Sequence, residues 1–386
     1  MGEEPSLDSI LAHGAGPDSE TGALARPVEA SVVGAFRGLK PGDEAPLQYS
    51  RGGTPSRSQL ESLLAALEGG GEAFTFASGM AAINCFFQTV PKGSHVILGS
   101  QLYGRTRVLA DEHLSKFLEI SYADPNDTEG LKALVKDNTK YVFLETMTNP
   151  LLRVADLTAL QEFSFETGIP YVIDNTFAPY LVRGFDYGAE AVIYSLTKYI
   201  GGHNDVLGGA VVTQNVELAD KLRRTSETLG AVLGSGETTL TIRSLQTLPV
   251  RMERHCSNAL KVARFLKNRV SRVYYPGLPG EDTYQVARKQ FRHGFGGVVS
   301  FEIEGDYQKF AEAIAWQEPA IIHITKSLGG TASMLSYPAT MSHANLSPQE
   351  RNDLGISDNL FRLSVGLEDY KDIIRSLKTG LEAAKG

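Results

Sequence analysis

The sequence contains little of what marks several specialised protein classes. Only two cysteines, Cys85 and Cys256, occur among its 386 residues, so we expect neither a disulfide framework nor a metal site, and such low use suits a reducing cytoplasm. No apolar run reaches the roughly 18 residues that a membrane-spanning helix requires. Acidic residues outnumber basic ones, 45 to 37, and the net charge of -8 argues against nucleic acid or an anionic membrane as the main partner. We therefore expect a cytoplasmic protein.

The best-known nucleotide-binding motifs are also missing. The sequence has no Gly-x-Gly-x-x-Gly dinucleotide fingerprint and no phosphate-binding loop of the nucleotide-triphosphate type, which counts against nucleotide-dependent enzymes. With 42% hydrophobic and 21% charged residues, the composition is that of an ordinary globular protein. The length leaves room for two domains.

Short apolar runs alternate with helical stretches through the middle of the chain. The runs predict strands over 73–77, 95–99, 118–122, 141–145, 171–174, 190–194 and 209–213. The segments between them predict helices over 79–90, 106–115, 128–135 and 157–167. This alternation is typical of βαβ units, and therefore predicts an α/β protein whose mostly parallel sheet is covered by helices on both faces.

Changes in composition divide the chain into three parts. Residues 1–48 are rich in Gly, Pro and Ala, which predicts an extended arm. Such arms often contact a neighbouring subunit, and we expect this one to do so. Residues 49–245 carry the βαβ pattern, whereas residues 246–386 predict a smaller α+β domain. Across this boundary we predict a long helix over 237–270 with one interruption at Pro249. The remaining predictions are strands over 297–303 and 320–324 and helices over 306–315 and 370–384.

Lys198 is the first candidate for chemistry, because it follows a buried apolar strand. A charged amine is costly in such a place, so a lysine there is often neutralised or used covalently, as Schiff-base lysines are. Ser195 and Thr197 beside it carry hydroxyls that could bind a phosphate. Taken alone, the segment also fits a solvated lysine at a strand end, which is the commoner situation.

Two further segments support a phosphate-bearing cofactor. Asp174 ends another buried strand, at the edge where doubly wound sheets bind ligands. A carboxylate there can pair with the protonated pyridine nitrogen of pyridoxal phosphate (PLP), although turn-forming aspartates are common too. Ser78-Gly79-Met80 follows a strand and opens a helix, which presents backbone N–H groups to an anion. That turn suits any phosphate ligand.

In combination, the motifs of this chain resemble those of the PLP-dependent enzymes of cysteine and methionine metabolism. The motifs are Tyr49-Ser-Arg51, Ser78-Gly-Met-Ala-Ala, Tyr103-Gly, Glu145-Thr-x-x-Asn149-Pro, Asp174-Asn-Thr-Phe, Ser195-x-Thr-Lys198-Tyr, Arg251-Met, Ser327-Leu-Gly-Gly and Arg362-Leu-Ser-Val-Gly-Leu-Glu-Asp. The resemblance extends from about His13 to the C-terminus. It implies the aspartate-aminotransferase-like PLP fold (fold type I), with a large, mostly parallel sheet domain and a smaller C-terminal α+β domain.

The resemblance also implies a role for each motif. Lys198 corresponds to the Schiff-base lysine and proton carrier, Asp174 to the partner of the pyridine nitrogen, and Tyr103 to the tyrosine stacked on the cofactor ring. The implied phosphate ligands are Ser78, Gly79, Met80, Ser195 and Thr197, with Tyr49 and Arg51 reaching over from the neighbouring subunit. A homodimer would therefore be the minimal active unit, and a homotetramer built as a dimer of dimers is usual. The implied substrate-binding residues are Arg362, for the α-carboxylate, and Asn149 and Ser327 beside it.

Three basic residues, Lys326, Arg105 and Arg107, depart from the family pattern. Lys326 stands where cystathionine enzymes commonly have Glu and methionine γ-lyases an apolar residue, and Arg105 stands where Gly or Cys is usual. In the family these positions face the distal part of the substrate. We therefore hypothesise that Lys326 and Arg105 select an anionic distal or leaving group. The alternative is that they point to solvent or pair with local acids.

The function implied by the resemblance is elimination or replacement at Cγ of a γ-substituted L-amino acid, such as a homoserine ester, cystathionine or methionine. β-Elimination by a carbon–sulfur lyase acting on cysteine or cystathionine is the alternative. Two more distant alternatives are a nucleotide-binding oxidoreductase and a non-catalytic descendant that binds a ligand. The first lacks its glycine fingerprint, and the second does not explain why Lys198, Asp174, Tyr103 and Arg362 are all present.

Overall fold

The computed structural model describes residues 5–14, 16–17, 22–25, 28–35, 38, 40, 48–341 and 347–386. Within these residues the chain forms two β-sheets, one of seven strands and one of five. The strands of the first sheet all precede those of the second along the chain, so each sheet is built from a continuous stretch of sequence.

The first sheet has the strand order β1-β7-β6-β5-β4-β2-β3. Its strands are β1 (Glu72–Phe76), β2 (His95–Gly99), β3 (Glu119–Ala123), β4 (Thr139–Glu145), β5 (Tyr171–Asp174), β6 (Ala191–Ser195) and β7 (Gly209–Thr213). β7 is antiparallel to both of its neighbours, and the other pairs are parallel. Because β4, β5 and β6 run in one direction, their carboxyl ends meet at the same edge of the sheet.

The apolar strands are explained by burial on both faces of this sheet. Successive side chains of a strand point to opposite faces, so Val142 and Leu144 of β4 enter one hydrophobic core and Phe143 enters the other. Helices cover both cores: α1 (Leu7–His13), α2 (Pro55–Glu68), α3 (Gly79–Gln88), α4 (Gly104–Glu112), α5 (Thr128–Ala133), α6 (Leu157–Thr167), α7 (Val216–Leu229), α8 (Ser235–Leu245) and α9 (Leu248–Leu266).

The second sheet has the order β10-β11-β12-β9-β8. Its strands are β8 (Arg272–Tyr274), β9 (Val298–Glu302), β10 (Ile322–Ile324), β11 (Ser333–Ser336) and β12 (Leu360–Ser364). The helices of this part are α10 (Tyr284–Gln290), α11 (Tyr307–Ala315), α12 (Pro348–Asp353) and α13 (Tyr370–Ala383). A third core fills the space between the sheet and its helices, where the rings of Phe301, Phe310 and Phe361 pack together.

The prediction of a long helix over 237–270 is wrong in one respect. It is divided into α8 and α9 between Leu245 and Leu248, so the interruption precedes Pro249. Pro249 itself lies in the first turn of α9, where a missing backbone N–H costs no hydrogen bond. The sequence also did not predict β8, β11 and β12, which are only three to five residues long.

The arm over residues 1–48 is not extended throughout. α1 begins after Ser6, whose hydroxyl accepts a hydrogen bond from the backbone N–H of Ser9, and it buries Leu11 completely against the first core. Tyr180 donates a hydrogen bond to Asp8 of this helix at 2.9 Å. Much of the remaining arm lies outside the described residues. No helix within the described part of the chain is both long and apolar enough to cross a membrane.

Candidate active site

A cavity of about 500 Å³ lies at the carboxyl edge of the first sheet and is lined by residues of both sheets. All but two of the predicted site residues line it: Ser78, Gly79, Met80, Tyr103, Arg105, Asn149, Asp174, Ser195, Thr197, Lys198, Lys326, Ser327 and Arg362. The two exceptions are Tyr49 and Arg51, which lie on the exposed surface with the Arg51 guanidinium 5.0 Å from the centre of the Tyr49 ring.

Lys198 projects into this cavity from the turn that follows β6. Its Nζ donates a hydrogen bond to Oγ of Ser327 at 2.8 Å. Burial, and to a lesser degree the positive charge of Arg362, lower the pKa of the lysine to about 8. The amine is therefore much closer to its neutral, nucleophilic form at physiological pH than an exposed lysine is.

Asp174 ends β5, the strand next to β6, and also lines the cavity. The backbone N–H of Thr176 donates to its Oδ1 at 3.0 Å, and Thr176 Oγ1 in turn accepts from the backbone N–H of Ser195. Burial raises the pKa of Asp174, because it removes water from the charged carboxylate, although hydrogen bonds from Thr176 oppose the shift. A protonated pyridine nitrogen is the kind of cation that would satisfy this carboxylate.

A group of small and hydroxyl-bearing residues lies next to Lys198 at the start of α3. Ser78 caps the helix, with its Oγ accepting from the backbone N–H of Ala81 at 3.1 Å. At Gly79 an added Cβ would come within 2.9 Å of the Cβ of Ser195, so only glycine allows this close approach. Thr197 accepts from the backbone N–H of Gly208 at 3.1 Å. The helix N-terminus and these hydroxyls provide donors that fit a phosphate.

Arg362 reaches the cavity from β12 in the second sheet. Its two terminal nitrogens donate to Oδ1 of Asn149 and to the backbone oxygen of Ser327, both at 2.8 Å. Its buried Nε has no hydrogen-bond partner within the described structure. Burial lowers the pKa of Arg362 only to about 10, so the guanidinium stays charged. It therefore remains able to bind a carboxylate in the cavity.

Ser327 links Lys198 to Arg362 through its hydroxyl and its backbone oxygen. Its backbone has a φ of 99°, a region that residues other than glycine rarely adopt. That conformation lets both groups of one residue face the cavity from the same turn.

Lys326 and Arg105 lie at the exposed rim of the same cavity. The described residues offer neither of them a salt bridge, whereas nearby Arg107 is paired with Asp111 at 2.8 Å.

The sequence pattern did not assign a function to Glu145, yet this carboxyl also lines the cavity. Its position at the end of β4, at the start of the Glu-Thr-x-x-Asn-Pro motif, was the available signal. No cluster of metal-binding side chains was found in the described part of the chain.

The class of protein follows from this chemistry. PLP needs an amine for its aldehyde, a carboxylate at its ring nitrogen and donors for its phosphate, and this cavity offers all three. The protein is therefore a PLP-dependent enzyme. More closely, the chain belongs to the Cys/Met metabolism PLP-dependent enzyme family, whose model matches residues 8–382.

Several relatives are similar over their whole length. A cystathionine β-lyase of Lactococcus lactis subsp. cremoris is 39% identical over 384 residues, covering 98% of this chain and 99% of that protein. An L-methionine γ-lyase of Fusobacterium nucleatum subsp. polymorphum is 40% identical over 375 residues, covering 94% of each. Among solved structures, the cystathionine γ-synthase of Xanthomonas oryzae pv. oryzae in complex with cystathionine matches with a TM-score of 0.94 and 34% identity, over 99% of both chains. These comparisons confirm the predicted family, fold and cofactor.

Proposed function

We propose that this enzyme uses PLP to expel the γ-substituent of an L-amino acid, by elimination or by replacement. The observation that carries the proposal is the convergence of Lys198, Asp174 and Arg362 on one cavity, with Ser327 joining the lysine to the arginine. Relatives named as γ-lyases and γ-synthases support the choice of Cγ as the reacting carbon.

Each of these side chains has a distinct task in the proposed reaction. Arg362 binds the substrate α-carboxylate with its fork of N–H donors, which orients the Cα–H bond. When bound, PLP supplies an electron sink that makes loss of the Cα proton feasible. As a free amine, Lys198 would take the proton from Cα and carry it to neighbouring carbons of the substrate. Asp174 would hold the ring nitrogen of PLP through its negative charge, and Tyr103 would hold the ring itself.

Loss of the γ-group leaves an unsaturated amino acid with two fates. Protonation followed by hydrolysis gives a 2-oxo acid and ammonia, whereas addition of a thiol at Cγ gives a replacement product. β-Elimination is the second candidate, because relatives that share 39% and 38% of their residues with this chain are named as cystathionine β-lyases.

Product analysis on a substrate panel would test these alternatives. The panel contains O-succinyl-, O-acetyl- and O-phosphohomoserine, cystathionine, methionine and cysteine, each incubated with and without added cysteine. Cystathionine gives cysteine and 2-oxobutyrate if the Cγ–S bond is cut, and homocysteine and pyruvate if the Cβ–S bond is cut. We expect 2-oxobutyrate from cystathionine, or cystathionine from a homoserine ester and cysteine. Pyruvate and homocysteine alone would contradict the assignment to Cγ.

We further propose that Lys326 and Arg105 favour substrates whose distal group is anionic. Both cations line the rim of the cavity, and their freedom from salt bridges within the described chain leaves them available to a ligand. Rim charges are screened by water, so each contributes about 1 kcal/mol, or roughly a fivefold change in affinity. The double variant Lys326→Ala/Arg105→Ala should lower kcat/KM for O-succinylhomoserine or O-phosphohomoserine about tenfold or more, relative to kcat/KM for methionine.

Arg107→Ala is the matched control, because this nearby arginine is engaged by Asp111 and Tyr122 instead of facing the cavity. It should leave the ratio of the two kcat/KM values as in the wild type. An unchanged ratio in the double variant would show that the two cations do not select the substrate.

We also propose that the active site is completed by a second copy of this chain. Tyr49 and Arg51 lie outside the cavity of their own chain, where nearly half of the Tyr49 surface is exposed. In an arrangement as a dimer, or as a tetramer of two dimers, they would reach the phosphate of the partner's cofactor. The shortage of cations among the phosphate-facing residues Ser78, Gly79, Ser195 and Thr197 supports this arrangement.

Subunit mixing would test the shared site. Arg51→Ala and Lys198→Ala should each be nearly inactive alone. A hybrid dimer of the two variants has one site with both defects and one site with none. When equal amounts of the two variants are refolded together, half of the dimers should be hybrids, and each hybrid has one intact site out of two. The mixture should therefore recover about one quarter of the wild-type activity. A mixture that stays inactive, while a pull-down through an affinity tag on one of the two variants shows that hybrids form, would place Arg51 and Lys198 in the same site of one chain.

A further inference from the structure

A buried carboxyl that the mechanism above does not use lies beside the ring-nitrogen partner. Glu145 ends β4 and is in register with Asp174 at the end of β5. Neighbouring strands are about 4.8 Å apart and paired residues point to the same face of the sheet, so the two carboxyl groups are close neighbours. Both line the cavity.

The hydrogen bonds of Glu145 connect it to Tyr103. Its Oε1 accepts from the backbone N–H of Tyr103 at 2.6 Å, and this residue immediately precedes α4. The ring of Tyr103 is 39% exposed, so packing within the chain holds it only in part. The bond from Glu145 therefore fixes the backbone that aims this ring at the cofactor.

The surroundings of the second carboxyl oxygen of Glu145 indicate the protonation state of this residue. Oε2 is buried and has no hydrogen-bond partner in the described structure. Burial, followed by the nearby Asp174, raises the pKa of Glu145 well above its usual value, although the backbone N–H groups of Tyr103 and Asn149 oppose the shift. Burial also raises the pKa of Asp174, but two hydrogen bonds from Thr176 oppose that effect. Two adjacent carboxyls in so enclosed a place cannot both be charged at low cost. The proton resides on Glu145, because its second oxygen has no partner in the described structure and its pKa is raised further than that of Asp174.

We propose that Glu145 is a positioning residue that retains its proton, leaving the negative charge on Asp174, and holds Tyr103 over the cofactor ring. The inference rests on the proposed roles of Asp174 and Tyr103 toward PLP. It does not depend on which amino acid is the substrate.

Two substitutions distinguish a neutral Glu145 that acts as a hydrogen-bond acceptor from a Glu145 that acts through a negative charge. Glu145→Gln keeps an oxygen acceptor for Tyr103 and is always neutral, whereas Glu145→Leu has similar volume but no acceptor. We expect the leucine variant to bind PLP roughly tenfold or more weakly and to lose much of the circular dichroism of the bound cofactor, because a buried N–H is left without a partner. The glutamine variant should restore PLP affinity to within about threefold of the wild type.

The pH dependence of PLP affinity gives a second measurement, which a merely structural role of Glu145 would not change. Asp174 on β5, Tyr103 before α4, Lys198 after β6 and Arg362 on β12 are the other titratable groups that line this part of the cavity. Because burial and Asp174 raise the pKa of Glu145, its proton is lost only at a pH well above that at which an exposed glutamate titrates. PLP affinity of the wild type should weaken there, and Glu145→Gln should weaken less, since an amide has no proton to lose.

Glu61→Gln and Glu61→Leu are the matched controls. Glu61 is a partly buried glutamate whose pKa is raised to about 7, but it bonds to Thr75 and does not line the cavity. Both control variants should keep the cofactor dichroism and PLP affinity of the wild type. The inference is overturned if Glu145→Gln binds PLP as poorly as Glu145→Leu, if Glu145→Leu binds it as well as the wild type, or if the alkaline weakening is the same in Glu145→Gln. None of these results would alter the products of the substrate panel, which test the proposed function separately.

Discussion

Replacement of Lys198 by alanine is expected to remove the absorbance of covalently held PLP and to lower turnover at least about 1,000-fold, since a positioned proton-transfer group contributes 100- to 10,000-fold. The residue has two tasks in the proposed reaction: it holds the cofactor, and it carries the proton between substrate carbons. Its pKa of about 8 suits both, because a neutral amine is needed first to attack the aldehyde and then to accept the proton. Alanine provides no nitrogen for either task.

Borohydride reduction followed by peptide mass spectrometry would locate the covalent bond. In the wild type the added mass should lie on the peptide that contains Lys198. Lys326→Ala is a useful comparison, because this second lysine of the cavity has no proposed role in holding PLP, and the variant should keep the label. Covalent PLP in Lys198→Ala, or turnover close to that of the wild type, would overturn the assignment.

Replacement of Arg362 by lysine is expected to lower kcat/KM about 100-fold or more while leaving PLP absorbance in place. Hydrogen bonds to charged groups contribute about 1.5–3 kcal/mol each, and a lysine cannot reproduce the planar pair of N–H donors that a carboxylate accepts. The substitution also leaves Oδ1 of Asn149 and the backbone oxygen of Ser327 without their present donor. The substitution should therefore weaken binding of the substrate and leave binding of the cofactor unchanged.

Steady-state kinetics with the best substrate of the panel would measure this effect. A buried arginine that does not line the cavity offers a control: Arg251 donates to the backbone oxygens of Tyr199 and Ser244. Arg251→Lys should reduce thermal stability more than it raises KM. If Arg362→Lys has the wild-type KM and kcat, another group must bind the α-carboxylate.

Much of the site could be predicted because its residues lie in short motifs. Lys198 and Asp174 each follow an apolar strand, and the strand pattern indicated that both lie at a ligand-binding edge. The glycine at position 79 was equally visible, and the structure gives its reason in the close approach of Ser195. The same local reasoning failed at Pro249, because a proline in the first turn of a helix resembles one that breaks a helix.

Glu145 shows why the rest could not be predicted. Its neighbour Asp174 lies on a different strand, and only the pairing of β4 with β5 brings the two carboxyls into register. A raised pKa results from that proximity and from burial, neither of which can be read from nearby residues in the chain. The same is true of Arg362, which is 213 residues away from the Asn149 that it contacts.

By itself, the sequence determined the alternation of strands and helices, the family and the cofactor, because these depend on residues close together in the chain. The tertiary structure decided which side chains face one another: the order of the strands, the position of Arg362 beside Lys198, the shared burial of Glu145 and Asp174, and the exposure of Lys326 and Arg105 at the rim. Those relations arise when two sheets pack around one cavity, and the electrostatics of the site follow from that packing.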